Sequence, residues 1–171
     1  MDSVELLNDA FGRIRGMVES SVNGLSRERL AFAPGRLANP IGWLVWHLTR
    51  VQDDHIAGVA GSEQIWTSGG WAERFDLPLS ISDTGYGHSH DQVISISVEA
   101  SELSAYYREV EKFTLSYLNR LSESDLDRIV DRRWDPPVTL GARLVSVIGD
   151  GTAHGAQAQY VRGVLESLAD Q

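Results

Sequence analysis

His47, Asp150 and His154 are residue types that bind divalent metals, and two of them share one helical stripe. An α-helix turns once every ~3.6 residues, so Asp150 and His154, four apart, project from the same face. His47 lies about a hundred residues earlier, in the apolar run Ile41-Gly42-Trp43-Leu44-Val45-Trp46-His47-Leu48. If the helix holding His47 packs against the later one, two imidazoles and a carboxylate converge. That set is a facial N,N,O site for a divalent metal with coordination positions left open for chemistry. Spacing alone favours the plainer reading: acid–His pairs four apart are common, and a histidine on an apolar face is more often a core imidazole bonded to a backbone carbonyl. Gln157 lies one turn beyond His154 on the same stripe. Asp54, seven residues after His47, falls near the ligand face, where it would orient a ligand or bind water, or else simply face solvent.

Gly149, Gly151 and Gly155 surround this pair. Each glycine inside a helix costs up to ~1 kcal/mol against alanine. Their density implies that a second helix or a substrate approaches the backbone closely. The alternative is a loop at 149–151; the apolar period on both sides favours continuous helix.

The elements that must position these groups read as helices. Residues 3–23 place Val4, Leu7, Phe11, Ile14 and Val18 at spacings of three and four, with Asp2 or Ser3 as cap. A second helix starts at Pro40 after the cap candidate Asn39 and runs to about Ala57, with Gly58 and Gly61 closing it. Residues 60–96 are irregular, with a short helix at 72–75, and Trp66 and Trp71 there are candidates to wall a pocket. A third long helix is expected over 91–120 and a turn at 122–125. Pro136-Pro137 interrupts the chain before a last helix from Thr139 to Leu168. The expectation is an all-α four-helix bundle in one domain, 1–171, with a long loop excursion between helices 2 and 3.

Composition sets limits. The chain has 171 residues, 42% hydrophobic and 23% charged, as in an ordinary globular protein. Its net charge of −9 argues against a nucleic-acid partner or an anionic membrane surface. No apolar stretch approaches the ~20 residues that span a bilayer, and the acidic start lacks signal-peptide features, so a cytoplasmic location is expected. The absence of cysteine removes Cys-based catalysis and Cys-type structural zinc. Any thiol chemistry must bring its sulfur on a small molecule.

The segment Asn39-Pro40-Ile41-Gly42-Trp43-Leu44-Val45-Trp46-His47-Leu48 resembles the second helix of the DinB-like superfamily. Asp83-Thr84-Gly85-Tyr86-Gly87-His88 is similar to a loop in one branch of it. Asp150-x-x-x-His154-Gly155-Ala156-Gln157 is similar to its last helix, usually His-x-x-x-His followed by Gln. The resemblance covers nearly the whole chain, with the three patches in order. It implies a four-helix core with a divalent metal bound by three side chains near one end. It also implies thiol-dependent chemistry, because the characterised enzymes are mainly isomerases and S-transferases using mycothiol, bacillithiol or glutathione.

Carried over by residue, the metal ligands are His47, Asp150 and His154. Asp150 departs from the usual histidine and resembles the mycothiol-dependent maleylpyruvate isomerase branch, which has the longer Glu. The resemblance further implies zinc, or else nickel or manganese, and mycothiol or bacillithiol as cosubstrate. Tyr86 and His88 become candidates for catalytic substrate contact, with Gln157 and Asp54 beside the cofactor. The expected partners are a small electrophile, a low-molecular-weight thiol and a second copy in a homodimer. A metal-dependent hydrolase and a non-catalytic, stress-related small-ligand bundle are the alternatives.

Overall fold

The protein is described from a computed structural model over residues 1–169. Its helix α1, Ser3–Val22, begins with a capping box. Asp2 Oδ1 accepts the Glu5 amide at 2.8 Å, and Glu5 Oε2 accepts the Asp2 amide at 3.0 Å. The short α2, Arg27–Leu30, leads to α3, Ile41–Ala60. There the residue at the cap position is Pro40, in extended conformation, and not Asn39. Proline lacks the N–H that the helix start would leave unbonded. Helix α3 continues past Gly58 and stops at Gly61, whose φ of 67° puts it in the left-handed region.

Three short helices, α4 (Ile65–Ser68), α5 (Trp71–Phe75) and α6 (His90–Ile94), punctuate the excursion. The third long helix, α7, spans Ala100–Leu118, so the expected start at 91 is corrected. Residues 96 and 98 keep apolar side chains inward from non-helical backbone, which imitates a helical period in the sequence. A 3₁₀ turn at Glu123–Asp127 precedes a hairpin of β1 (Ile129–Asp131) and β2 (Val138–Thr139) that the sequence reading missed. Helix α8, Leu140–Ala169, is continuous through Gly149, Gly151 and Gly155.

Helices α1, α3, α7 and α8 form the expected four-helix bundle. Both α1 and α3 pack on α7 and α8, so α1 and α3 occupy opposite corners. Phe11, Ile14, Leu44, Leu48, Leu103, Val110, Leu144 and Val147 fill the centre. Phe11 and Tyr117 are buried in the chain's own core, and Phe113 is partly buried against it.

Two fully buried ionic residues of α3 tie down the excursion. Asp53 accepts the amides of Ile65 and Trp66 at 2.8 and 2.7 Å and the Tyr106 hydroxyl at 2.7 Å. Arg50 donates through Nη1 to Gln64 at 2.8 Å and through Nε to the Asp83 carbonyl at 3.1 Å. One turn of α3 thus holds both the departing and the returning ends of the long segment.

Candidate metal centre

Residues 41–50 of α3 are buried without a break, which forces His47 into the seam between α3 and α8. Trp43, one turn earlier, stacks on its ring with centroids 4.6 Å apart and planes 12° apart. The ring is oriented by the excursion: Nδ1–H donates to the Thr84 carbonyl. Nε2 is then the basic nitrogen, and it stands 3.9 Å from Asp150 Oδ1 across the seam. On α8, His154 Nδ1–H donates to the Asp150 backbone carbonyl at 3.0 Å, which leaves its Nε2 as the free acceptor. Outer hydrogen bonds of this kind fix the tautomer of metal-binding histidines.

One donor atom from each of His47, Asp150 and His154 lies within 4.8 Å of the others. Asp150 Oδ2 is buried and has no hydrogen-bond partner among the described residues. His154 Nδ1 is 3.4 Å from it, but its N–H is directed at the Asp150 backbone carbonyl. An unsatisfied buried oxygen costs ~1–3 kcal/mol, and a cation between the three groups would remove that cost. The residues therefore fit a divalent metal.

The two imidazoles are tuned in opposite directions. Burial lowers the proton affinity of His47, although the Thr84 carbonyl and the Asp150 charge work against this. The Asp150 side chain raises that of His154, against burial. His47 is ready as a neutral ligand, whereas His154 must yield its proton to a metal.

The 83–88 loop is organised around Asp83. Its Oδ1 accepts from the Gly85 amide at 3.1 Å and from His88 Nε2 at 2.9 Å. His88 Nδ1 accepts the Trp43 indole N–H at 3.1 Å, and the ring stacks near Trp46 at 5.8 Å. His88, expected to touch substrate, is turned inward here. Its side chain is 3% exposed and both ring nitrogens are engaged, so it holds the loop against Trp43 and Trp46. Tyr86 is 93% exposed, open to solvent and to a ligand.

Asp54 does not adjoin the triad. It accepts Gln64 Nε2 at 2.8 Å and lines a polar cleft further along α3. Gln157 is exposed on an apolar groove of about 550 Å³ with Leu44, Ala153 and Tyr160. Trp66 borders a smaller cleft of about 200 Å³, while Trp71 is buried and donates its indole N–H to Glu109 at 2.7 Å. The glycines of α8 accommodate α1: a Cβ at Gly151 would meet Ile14 Cδ1 at 2.9 Å, and one at Gly155 would meet Met17 at 3.1 Å. Sequence reasoning missed Thr84, Arg50 and Asp53. The one available signal was a pair of opposite charges, Arg50 and Asp53, inside an apolar helix.

The profile of the DinB superfamily matches residues 10–158. The chain belongs to the DinB superfamily. A conserved protein from Enterococcus faecalis, known from a crystal structure, is 30% identical to it with a TM-score of 0.91. The alignment covers 98% of this chain and 99% of that one. No curated protein matches. DinB proteins bind metals, and the His–Asp–His group is this member's candidate site. None of the described helices is long and apolar enough to cross a membrane.

Proposed function

We propose that this DinB protein is a divalent-metal-dependent enzyme that transfers or isomerises a small electrophile with a low-molecular-weight thiol. The observation that carries this reading is the triad itself: two imidazoles with free Nε2 atoms around a buried, unpartnered carboxylate oxygen. Zinc is the preferred ion, and when bound it would supply Lewis acidity and keep a coordinated thiol in its thiolate form. The chain has no thiol of its own, so mycothiol or bacillithiol is the proposed cosubstrate.

The protein residues have separate tasks. Thr84 and Trp43 hold the His47 ring, and His88 and Asp83 hold the loop that carries Thr84. The triad stays accessible, with Asp150 27% and His154 20% exposed. Tyr86 is assigned to substrate contact and Gln157 to the groove beside His154. We also propose a homodimer that uses surfaces other than Phe11 and Tyr117, tested by light scattering at tens of micromolar.

The test is thiol addition to a panel of electrophiles, with protein loaded with Zn²⁺ or stripped of metal. Turnover should need both metal and thiol and fall about 100-fold in His47→Ala, or ~2.7 kcal/mol of transition-state stabilisation. Metal-dependent turnover with water alone would replace the transferase with a hydrolase. Metal binding with no turnover of any kind would leave a binding bundle.

A further inference from the structure

The metal reading leaves unused a second cleft on the same seam. Asp54 lies seven residues beyond His47, and Arg143 seven residues before Asp150. His55 Nδ1 accepts from Arg143 Nη1 at 3.0 Å, so α3 and α8 run in opposite directions and face each other here as well. At 1.5 Å per residue, this contact stands roughly 10 Å from the triad. The cleft opens between α3, α8 and the β1–β2 hairpin, with a volume of about 560 Å³. Asp54, His55, Arg128, Asp131, Arg133 and Arg143 supply its polar lining.

In a chain of net charge −9 this lining gathers three guanidinium groups against two carboxylates. Asp131 is already used. Arg133 Nη2 and Arg143 Nη2 donate to its Oδ2 at 2.8 and 3.1 Å, and its side chain is only 7% exposed. Asp131 thus fixes Arg143 at the cleft, while Arg133, 85% exposed, chelates the same carboxylate from the solvent side. Arg143 is itself 16% exposed, which strengthens its field by keeping water away. Arg128 bonds through Nη2 alone, to the Tyr117 hydroxyl at 2.8 Å and the Val59 carbonyl at 3.3 Å. Its Nε and Nη1, and Nε of Arg143, have no hydrogen bond among the described residues. A guanidinium carries five N–H donors in a planar fork that matches carboxylate and phosphate oxygens. On the far side of the triad, the groove at Leu44, Ala153 and Tyr160 is apolar, so the seam changes from apolar to cationic across the metal centre.

We propose that this cleft is an anion subsite, taking a carboxylate or phosphate group of a small molecule whose reacting atom lies at the triad. The link to reaction rests on the metal-centred reading; the binding of the anion does not. The substrate class that follows is an acid with an electrophilic centre roughly 10 Å from its charged end.

The experiment is an NMR titration of the metal-stripped, ¹⁵N-labelled full chain with benzoate and, separately, phenyl phosphate. Saturable shifts should appear at the amides of Gly58, Val59 and Val130, with millimolar or tighter affinity. Affinity should fall about tenfold in Arg143→Gln and in Arg128→Gln and stay unchanged in His47→Ala. The tighter probe identifies the anion as carboxylate or phosphoryl. Arg128→Gln leaves both pairs to Asp131 intact, so it decides the matter if Arg143→Gln fails to fold by circular dichroism. No saturable shift with either probe overturns the subsite, as does undiminished binding in the arginine variants. Loss of binding in His47→Ala overturns it too, because the anion would then sit at the triad. Anion binding without turnover of any kind, with thiol or with water, would remove the enzymatic reading and leave the subsite standing.

Discussion

Gly85 lies against His47 so closely that a Cβ at Gly85 would stand 2.6 Å from the imidazole Nδ1. Its φ of 92° is also one that side chains rarely adopt. Two independent constraints therefore require glycine at the point where the loop meets the candidate metal ligand. Gly85→Ala should lose ~1–3 kcal/mol of stability through backbone strain. Displacing the Thr84 carbonyl should also weaken metal affinity by about 10-fold or more. Calorimetric titration with Zn²⁺ checks this, and wild-type affinity in a folded variant would mean that Thr84 does not orient the ligand.

The triad predicts about one divalent ion per chain. His154→Ala and Asp150→Asn should lose most of it, as read by elemental analysis of untagged protein. Saturating Zn²⁺ at about 100 times its dissociation constant should stabilise the wild type by ~2.7 kcal/mol and leave both variants nearly unmoved. An equal rise in Tm for wild type and Asp150→Asn would place the metal elsewhere.

Metal affinity should depend on pH with a definite sign. A metal needs His154 neutral, and the Asp150 carboxylate holds its proton on to a higher pH than a free imidazole would. Affinity should therefore begin to fall above the ordinary histidine value of ~6.5 as pH drops, by about tenfold per unit once His154 is protonated. His47, whose proton affinity burial lowers, contributes only further down. In Asp150→Asn the remaining weak affinity should begin to fall at lower pH. Competition with a chelating dye across pH 5–8 would show the order of onset.

The helical bundle and the Asp150–His154 pair were legible in short-range periodicity, whereas His47 joined them through the resemblance to DinB-like segments. Residues four apart on α8 must share a face, and the run 41–48 must be buried. The rest depended on contacts between distant segments. Nothing local marks Thr84 as the acceptor for His47, or α1 as the body that Gly151 and Gly155 admit. Val93, Ile96, Val98 and Leu103 keep a helical spacing although the backbone breaks between α6 and α7. The β1–β2 hairpin is too short to impose an alternating pattern, and so the arginine cleft behind it was invisible.

Asp53 supplies a prediction about stability alone. Its carboxylate is fully buried, satisfies two amides and a tyrosine hydroxyl, and lies 3.6 Å from the Arg50 guanidinium. Asp53→Ala should destabilise the fold by ~3–5 kcal/mol, because a buried cation and three donors lose their partner. Urea unfolding measures this; a loss under ~1 kcal/mol would show that water replaces the carboxylate easily.

Arg143, Asp150 and His154 ride on a single unbroken helix, so covalent helix geometry meters the interval between the proposed charge clamp and the reaction point. Side-chain packing hardly enters that interval. Residues of the apolar groove or the cleft can be exchanged, altering what is held, while the measuring rod beneath them keeps its graduation. In this chain the walls can be repainted by substitution while the distance between the proposed grip and the candidate metal centre stays fixed.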